Sequence, residues 1–192
     1  MPTFVARIRG LKPVTDNLTP EVARQRMLDA LDAVGADYKL YVHRPIRNYD
    51  DAELARQESG FEGTESKSMV LKSGDDVFVY MTLAGQRVDM KGIRAHLGGP
   101  KPKIVGDEEL MARFAAEPGA AYPFGFGEDV PIYVDPAVYR EEWLLLSAVL
   151  PTETLQVRGE DLRKVFNHVP NQVEEVTTFN QRAQEEPAER PG

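Results

Sequence analysis

Gly119-Ala120-Ala121-Tyr122-Pro123-Phe124-Gly125-Phe126-Gly127 places three glycines, a proline and three aromatic residues in nine positions, a composition that suits neither a helix nor an ordinary strand. The stretch reads as a shaped loop. Pro123 fixes its own φ and biases Tyr122 toward an extended backbone, while the glycines open left-handed conformations and let another molecule approach the chain closely. Taken alone, it is either a tight turn whose aromatics cover a core edge or a loop that offers backbone N–H and C=O groups to a ligand.

The flanks predict regular structure on both sides. Before the loop, Asp107 caps a helix through Phe114, Lys103 to Val105 is a strand, and Val88 to Leu97 is a helix ending at Gly98-Gly99-Pro100. Farther upstream, strands at Ser68–Leu71 and Val77–Leu83 form a hairpin around Ser73-Gly74-Asp75-Asp76, the first of them central in the sheet. Tyr38 to Val42 is a strand that delivers His43, and Asp50 or Asp51 caps a short helix through Gln57. Thr19-Pro20-Glu21 opens a helix with Ala23, Met27, Leu31 and Val34 on one face and Gly35 past its end. Thr3 to Ile8 is a short strand. After the loop come strands at Ile132–Val134, Glu142–Val149 and Thr154–Val157, then a helix over Glu160–Asn167. From about Thr177 the chain turns to Gln, Glu, Pro and Arg, so residues 1–176 are expected to be one domain and 177–192 a disordered acidic tail.

Composition narrows the function. The 192 residues carry 23 basic and 31 acidic side chains, a net charge of −8, which argues against coating DNA or RNA by bulk electrostatics. Any nucleic-acid contact must be local. Without cysteine there is no disulfide, zinc-thiolate site or thiol nucleophile, and His43, His96 and His168 are too dispersed for a convincing metal set, so neither metal nor cofactor is expected. No apolar run approaches membrane-spanning length, and the N-terminus lacks a signal-peptide core, which predicts a soluble cytoplasmic protein without membrane contact.

Four segments occur in order: His43-Arg44-Pro45-Ile46, Ser66-Lys67-Ser68-Met69-Val70-Leu71-Lys72, the loop from Gly119 to Gly125, and Val130-Pro131-Ile132-Tyr133-Val134-Asp135. They resemble the H-x-P-V opening, the K-x-L-V-L-K segment, the G-x-x-x-P-F-G signature and the Asp-terminated strand of the YbaK/ProX family of aminoacyl-tRNA editing deacylases, relatives of the editing insertion domain of bacterial prolyl-tRNA synthetase. The resemblance spans about residues 21–166. It implies an α+β fold in which a mixed, mostly antiparallel sheet of six or seven strands curls around a pocket and is flanked by helices. It also implies metal-independent hydrolysis of the ester in a mischarged aminoacyl-tRNA, with a synthetase as a further partner.

By the same resemblance, Lys67 anchors the terminal nucleotide, and backbone groups from Gly119 to Pro123 cradle the aminoacyl carbonyl and a water. Ala120, Ala121 and Tyr122 hold the variable, side-chain-selecting positions of the loop, which Pro123, Phe124 and Gly125 complete. His43 lines the pocket, is structural, or serves as a general base, and Asp135 opens a turn, holds the substrate's α-ammonium, or does both. Arg87, Lys91 and Arg94 belong to a basic segment running to Lys103, read either as a solvated helix face or as a contact to tRNA phosphates. Lys72, at the hairpin turn, reads as a solvated edge charge. The chain departs from the family at Ala115, in a segment where many relatives carry glycine, and at Leu145-Leu146-Ser147-Ala148, where relatives have an Asn-Ala-Gly or His-Pro-Asn type sequence. The alternative from another class is a non-catalytic module that keeps the fold and holds tRNA or a synthetase.

Overall fold

The computed structural model describes residues 18–177 and 179–181, so the strand expected at Thr3–Ile8 lies outside the described residues. Thr19 Oγ1 accepts from the Val22 N–H and Pro20 occupies the first turn, which starts α1 (Pro20–Ala33) as the sequence predicts. β1 (Tyr38–Val42) follows, then α2 (Tyr49–Ser59). The cap of α2 is Asn48, whose Oδ1 takes the Asp51 N–H at 2.9 Å, rather than either aspartate.

The centre of the molecule is β2 (Thr64–Ser73), longer than its expected apolar run. It forms a hairpin with β3 (Asp76–Leu83), pairing Lys67 with Thr82 and Val70 with Val79. Then come α3 (Met90–Leu97), β4 (Lys103–Ile104), α4 (Asp107–Phe114), β5 (Ile132–Val134), a 3-10 turn over Pro136–Arg140, β6 (Leu144–Ala148), β7 (Leu150–Val157), α5 (Gly159–His168) and β8 (Val173–Glu175). The sheet runs β1-β7-β6-β2-β3-β5-β8, with β4 added to β2, giving eight strands among the described residues. Four pairings are antiparallel and three parallel, so the α+β expectation holds with one strand more than its upper count.

Alternation along the strands separates two faces. On the first, Val70, Val79, Met81, Leu144, Leu146, Leu155 and Val157 pack against α1, α4 and α5. On the second, Met69, Leu71, Phe78, Tyr80 and Tyr133 pack on Ile93 of α3, Val176 and Phe179, while Leu145 packs separately on Ala55 of α2 and Phe61.

Packed structure continues past the boundary expected at 177. Phe179 is fully buried, its carbonyl accepts from the Asp89 N–H, and Asn180 bridges to Val88. Composition hides this docking because one aromatic in a polar stretch fills the gap above Tyr80 and Tyr133.

Candidate functional site

β2 changes partners along its length, and the site forms where it does so. Thr64 and Glu65 pair in parallel with Leu144 and Leu145 of β6; from Ser66 onward β2 pairs with β3. The Gly119 loop is tied to β6 here, since Ser147 Oγ donates to the Ala120 carbonyl at 3.0 Å. A cavity of about 430 Å³ opens at this point, lined among others by His43, Phe61, Glu65, Ser66, Gly119, Ala120, Leu145, Ser147, Glu153 and Thr154.

Several expected residues converge on this cavity. His43 spans Arg44 O (2.7 Å from Nδ1) and Thr154 Oγ1 (2.8 Å from Nε2). A carbonyl can only accept, so Nδ1 carries the hydrogen of the first contact, while the Thr154 hydroxyl holds Nε2 on the other side of the ring. His43 is thereby both a cavity wall and a structural link. Gly119 stands exposed at φ 85°, and among the described residues its N–H engages no hydrogen bond, whereas the Ala120 N–H is used by Glu117 O. Ala120 is buried against the cavity and Ala121 half-buried beside it in the chain.

Lys67 is not among the cavity-lining residues, but the alternation of β2 puts it on the same sheet face as Glu65 and Leu145 on one side and Met69 on the other. It is half-buried, and its ammonium forms no hydrogen bond or ion pair among the described residues. Its cross-strand neighbour Thr82, fully buried, donates to Asp135 Oδ2 at 2.8 Å. Asp135 also accepts from Asn180 Nδ2 at 2.7 Å and from the Ala137 N–H at 2.9 Å, which caps the 3-10 turn. Its two oxygens thus hold three donors, so of the two roles expected the turn-opening one is filled.

The rest of the loop packs into the core: Tyr122, Pro123 and Phe124, which the resemblance placed with the substrate, do not line this cavity. Tyr122 is 1% exposed, its hydroxyl donates to Phe114 O at 2.7 Å, and burial pushes its phenol far up from the ordinary value. Pro123 is buried, and Phe124 packs edge-on against Phe166 of α5. Gly125, at φ 104°, lies so close to α1 that a Cβ there would stand 2.7 Å from Ala23 O. One sequence signal therefore covers two jobs: Gly119 and Ala120 face the cavity, while Tyr122 to Phe126 anchor them.

Ala115, the first departure noted in the sequence, and Val149, which directly follows the second, share a physical property. Ala115 (φ 50°) and Val149 (φ 76°) are the non-glycine residues with positive φ among the described residues. Val149 follows Ala148 at the β6–β7 bend, 1% exposed, beside the cavity-lining Ser147 and Leu150. A β-branched residue in this conformation is strained, and such strain gathers at functional sites.

Arg87, Lys91 and Arg94 are exposed on and before α3, with no ion pair to any described residue. Lys72 is no free edge charge: it pairs with Glu109 of α4, and that hydrogen bond holds the Glu109 carboxyl below its usual range. Among the described residues there is no group of three or more His, Asp or Glu side chains placed to hold a metal ion, and no helix is long and apolar enough to cross a membrane.

Comparison with known proteins gives this geometry a family. A candidate trans-editing enzyme for prolyl tRNA synthetase superposes with a TM-score of 0.62 at 19% identity, covering 86% of this chain and 99% of the other. A hypothetical protein superposes at 0.65 with 14% identity over 81% of this chain and 99% of its own. A candidate signal transduction protein from Marinobacter aquaeolei VT8 aligns at 0.53 and 15% identity, covering 81% of this chain but 30% of the larger protein. At such identities these likenesses establish the fold. No curated protein matches the chain in sequence. The family model of the aminoacyl-tRNA editing domain matches residues 43–165, more than half of the sequence and the whole span from His43 through the cavity to α5. The chain belongs to the aminoacyl-tRNA editing domain family.

Proposed function

We propose that this chain is a free-standing deacylase that hydrolyses the ester between a wrongly attached amino acid and the terminal ribose of tRNA. The observation that carries the reading is the unengaged Gly119 N–H at the cavity mouth, on the side where β2 presents the unpaired Lys67. In the reaction a water oxygen bonds to the ester carbonyl carbon. The carbonyl electrons move to oxygen, then return as the ribose oxygen departs with a proton. Gly119 N–H donates to the developing oxyanion, and a fixed donor of this kind is worth on the order of 10²–10³ in rate. Lys67 supplies a point cation to the terminal nucleotide's phosphate. Ala120 and Ala121 border the side-chain space, while exposed Arg87, Lys91 and Arg94 meet tRNA phosphates away from the chemistry. The reaction needs no metal, takes place in the cytoplasm, and serves a synthetase whose own pocket discriminates a methylene by only about 1–3 kcal/mol.

The test is turnover of purified alanyl-, seryl-, threonyl- and cysteinyl-tRNA. At least one is deacylated catalytically, Lys67→Ala lowers that turnover about a hundredfold, and Lys72→Ala leaves it unchanged. Absence of turnover on every ester, with tRNA still bound, would replace this reading with a non-catalytic tRNA-binding module.

A further inference from the structure

Glu153 of β7 is an acid with unfinished business at the cavity. It is 9% exposed, and one carboxylate oxygen, Oε1, takes Arg24 Nη1 of α1 at 2.7 Å. The other, Oε2, is buried without a hydrogen-bond partner, and so is Arg24 Nε, so the pair is a single contact rather than a closed fork. A buried carboxylate oxygen with open lone pairs is costly and rare in folded proteins, and it needs a cause. Here the residue also lines the cavity that holds Gly119 and Ala120. The second acid at that wall, Glu65, already pairs with Arg56 Nη2 at 2.9 Å. Asp135, the other acid expected to meet substrate, already accepts from Thr82 and Asn180 on Oδ2 and from the Ala137 N–H on Oδ1.

We infer that Glu153 Oε2 receives the α-ammonium of the aminoacyl group, so that the cavity selects esters with a free amino group over N-acylated ones. The inference rests on the deacylase reading for its ligand. An aminoacyl ester carries its amine one carbon from the carbonyl, so a carbonyl held at Gly119 brings the ammonium into the same cavity. The ammonium supplies donors only, which matches an oxygen that can only accept. With Arg24 on Oε1 and the ammonium on Oε2, both oxygens of a buried charge are satisfied when substrate is bound. An acetylated amine has no positive charge and brings added bulk to that position.

Equilibrium binding separates this inference from the question of turnover. The probes are 3′-alanylamino-3′-deoxyadenosine, whose amide link cannot be hydrolysed as an ester, and its N-acetyl counterpart, each titrated by calorimetry into the full chain. Wild type binds the free amine about tenfold or more tightly than the acetylated probe, the size of one charge-assisted contact. Glu153→Gln keeps the shape, loses that preference and leaves the acetylated probe's affinity within about twofold. Equal affinity of wild type for the two probes overturns the inference without any variant, as does a Glu153→Gln protein that weakens both probes alike, which would mark the residue as structural. Failure of every ester to turn over, with the probe preference intact, would refute the deacylase reading and leave Glu153 as an ammonium site.

Discussion

Gly119 and Gly125 sit six positions apart in one loop, both at positive φ, and adding a single methyl group to each should separate the site from its anchor. At Gly119 (φ 85°) an added Cβ meets nothing within 4 Å. The cost there is conformational, about 1–2 kcal/mol for a left-handed backbone, and at about 2–4 °C per kcal/mol for a chain of this size the melting point falls by about 2–8 °C. At Gly125 (φ 104°) the same conformational cost applies, and the Cβ also stands 2.7 Å from Ala23 O and 2.8 Å from Met27 Cγ. The methionine side chain can swing away, but the helix carbonyl cannot without moving α1. Overpacking of this kind adds about 1–3 kcal/mol, so Gly125→Ala should cost about 2–5 kcal/mol and about 4–20 °C. Thermal unfolding followed by circular dichroism, with deacylation measured well below both midpoints, reads the two effects separately. Gly119→Ala should remain folded and lose turnover; Gly125→Ala should melt early yet retain turnover in proportion to its folded fraction. A Gly125→Ala protein that melts no lower than Gly119→Ala would refute the assignment of Gly125 to packing.

Three further outcomes follow from the packing and charge. Phe179→Ala removes a fully buried ring from between Tyr80, Tyr133 and His96, and a loss of about 3–5 kcal/mol should appear as a midpoint lowered by about 6–20 °C; a drop below about 3 °C would mean that the segment does not dock. Ala115→Gly places the residue preferred at a left-handed helix end (φ 50°) where alanine now stands, so denaturant unfolding should show a gain of about 1 kcal/mol, and a loss would contradict it. Burial pushes the Asp161 carboxyl up, but the Lys164 ammonium and the Asp37 N–H outweigh burial and hold it below its ordinary value. Its folded pKa is therefore the lower one, and its contribution is present above the unfolded value of about 3.9 and lost as pH falls through the folded one. Asp161→Asn should cost about 1–2 kcal/mol at pH 7, with the gap to wild type closing below about pH 4; a gap constant with pH would refute the sign.

Local chemistry was legible where one residue type has one use. Thr19-Pro20 marks the start of α1 because a capping hydroxyl and a missing N–H suit only that position, and Tyr38–Val42 and Ile132–Val134 fall within their expected bounds. β8 was not legible: Val173-Glu174-Glu175 reads as solvated chain, and it becomes a strand by adding in parallel to β5. Glycine carries an ambiguity of its own, since the sequence cannot tell a glycine kept for its φ from one kept for want of space. Glu153 lies in a run, Thr152-Glu153-Thr154, that reads as polar and exposed. Its partner Arg24 lies 129 positions away, and only tertiary structure brings that cation to it.

Asn180 ties the last described turn of chain to the middle of the sheet, donating to Thr82 and Asp135 while accepting from the Tyr80 hydroxyl. This sets an order of events during synthesis. Strands β1 to β7 can pair as soon as Val157 is available, but Thr82, the residue across from Lys67, gains this last partner only when residue 180 has left the ribosome. Contacts of such sequence separation close late in folding. A nascent chain can thus hold a formed cavity while Thr82, across from Lys67, still lacks its Asn180 tie.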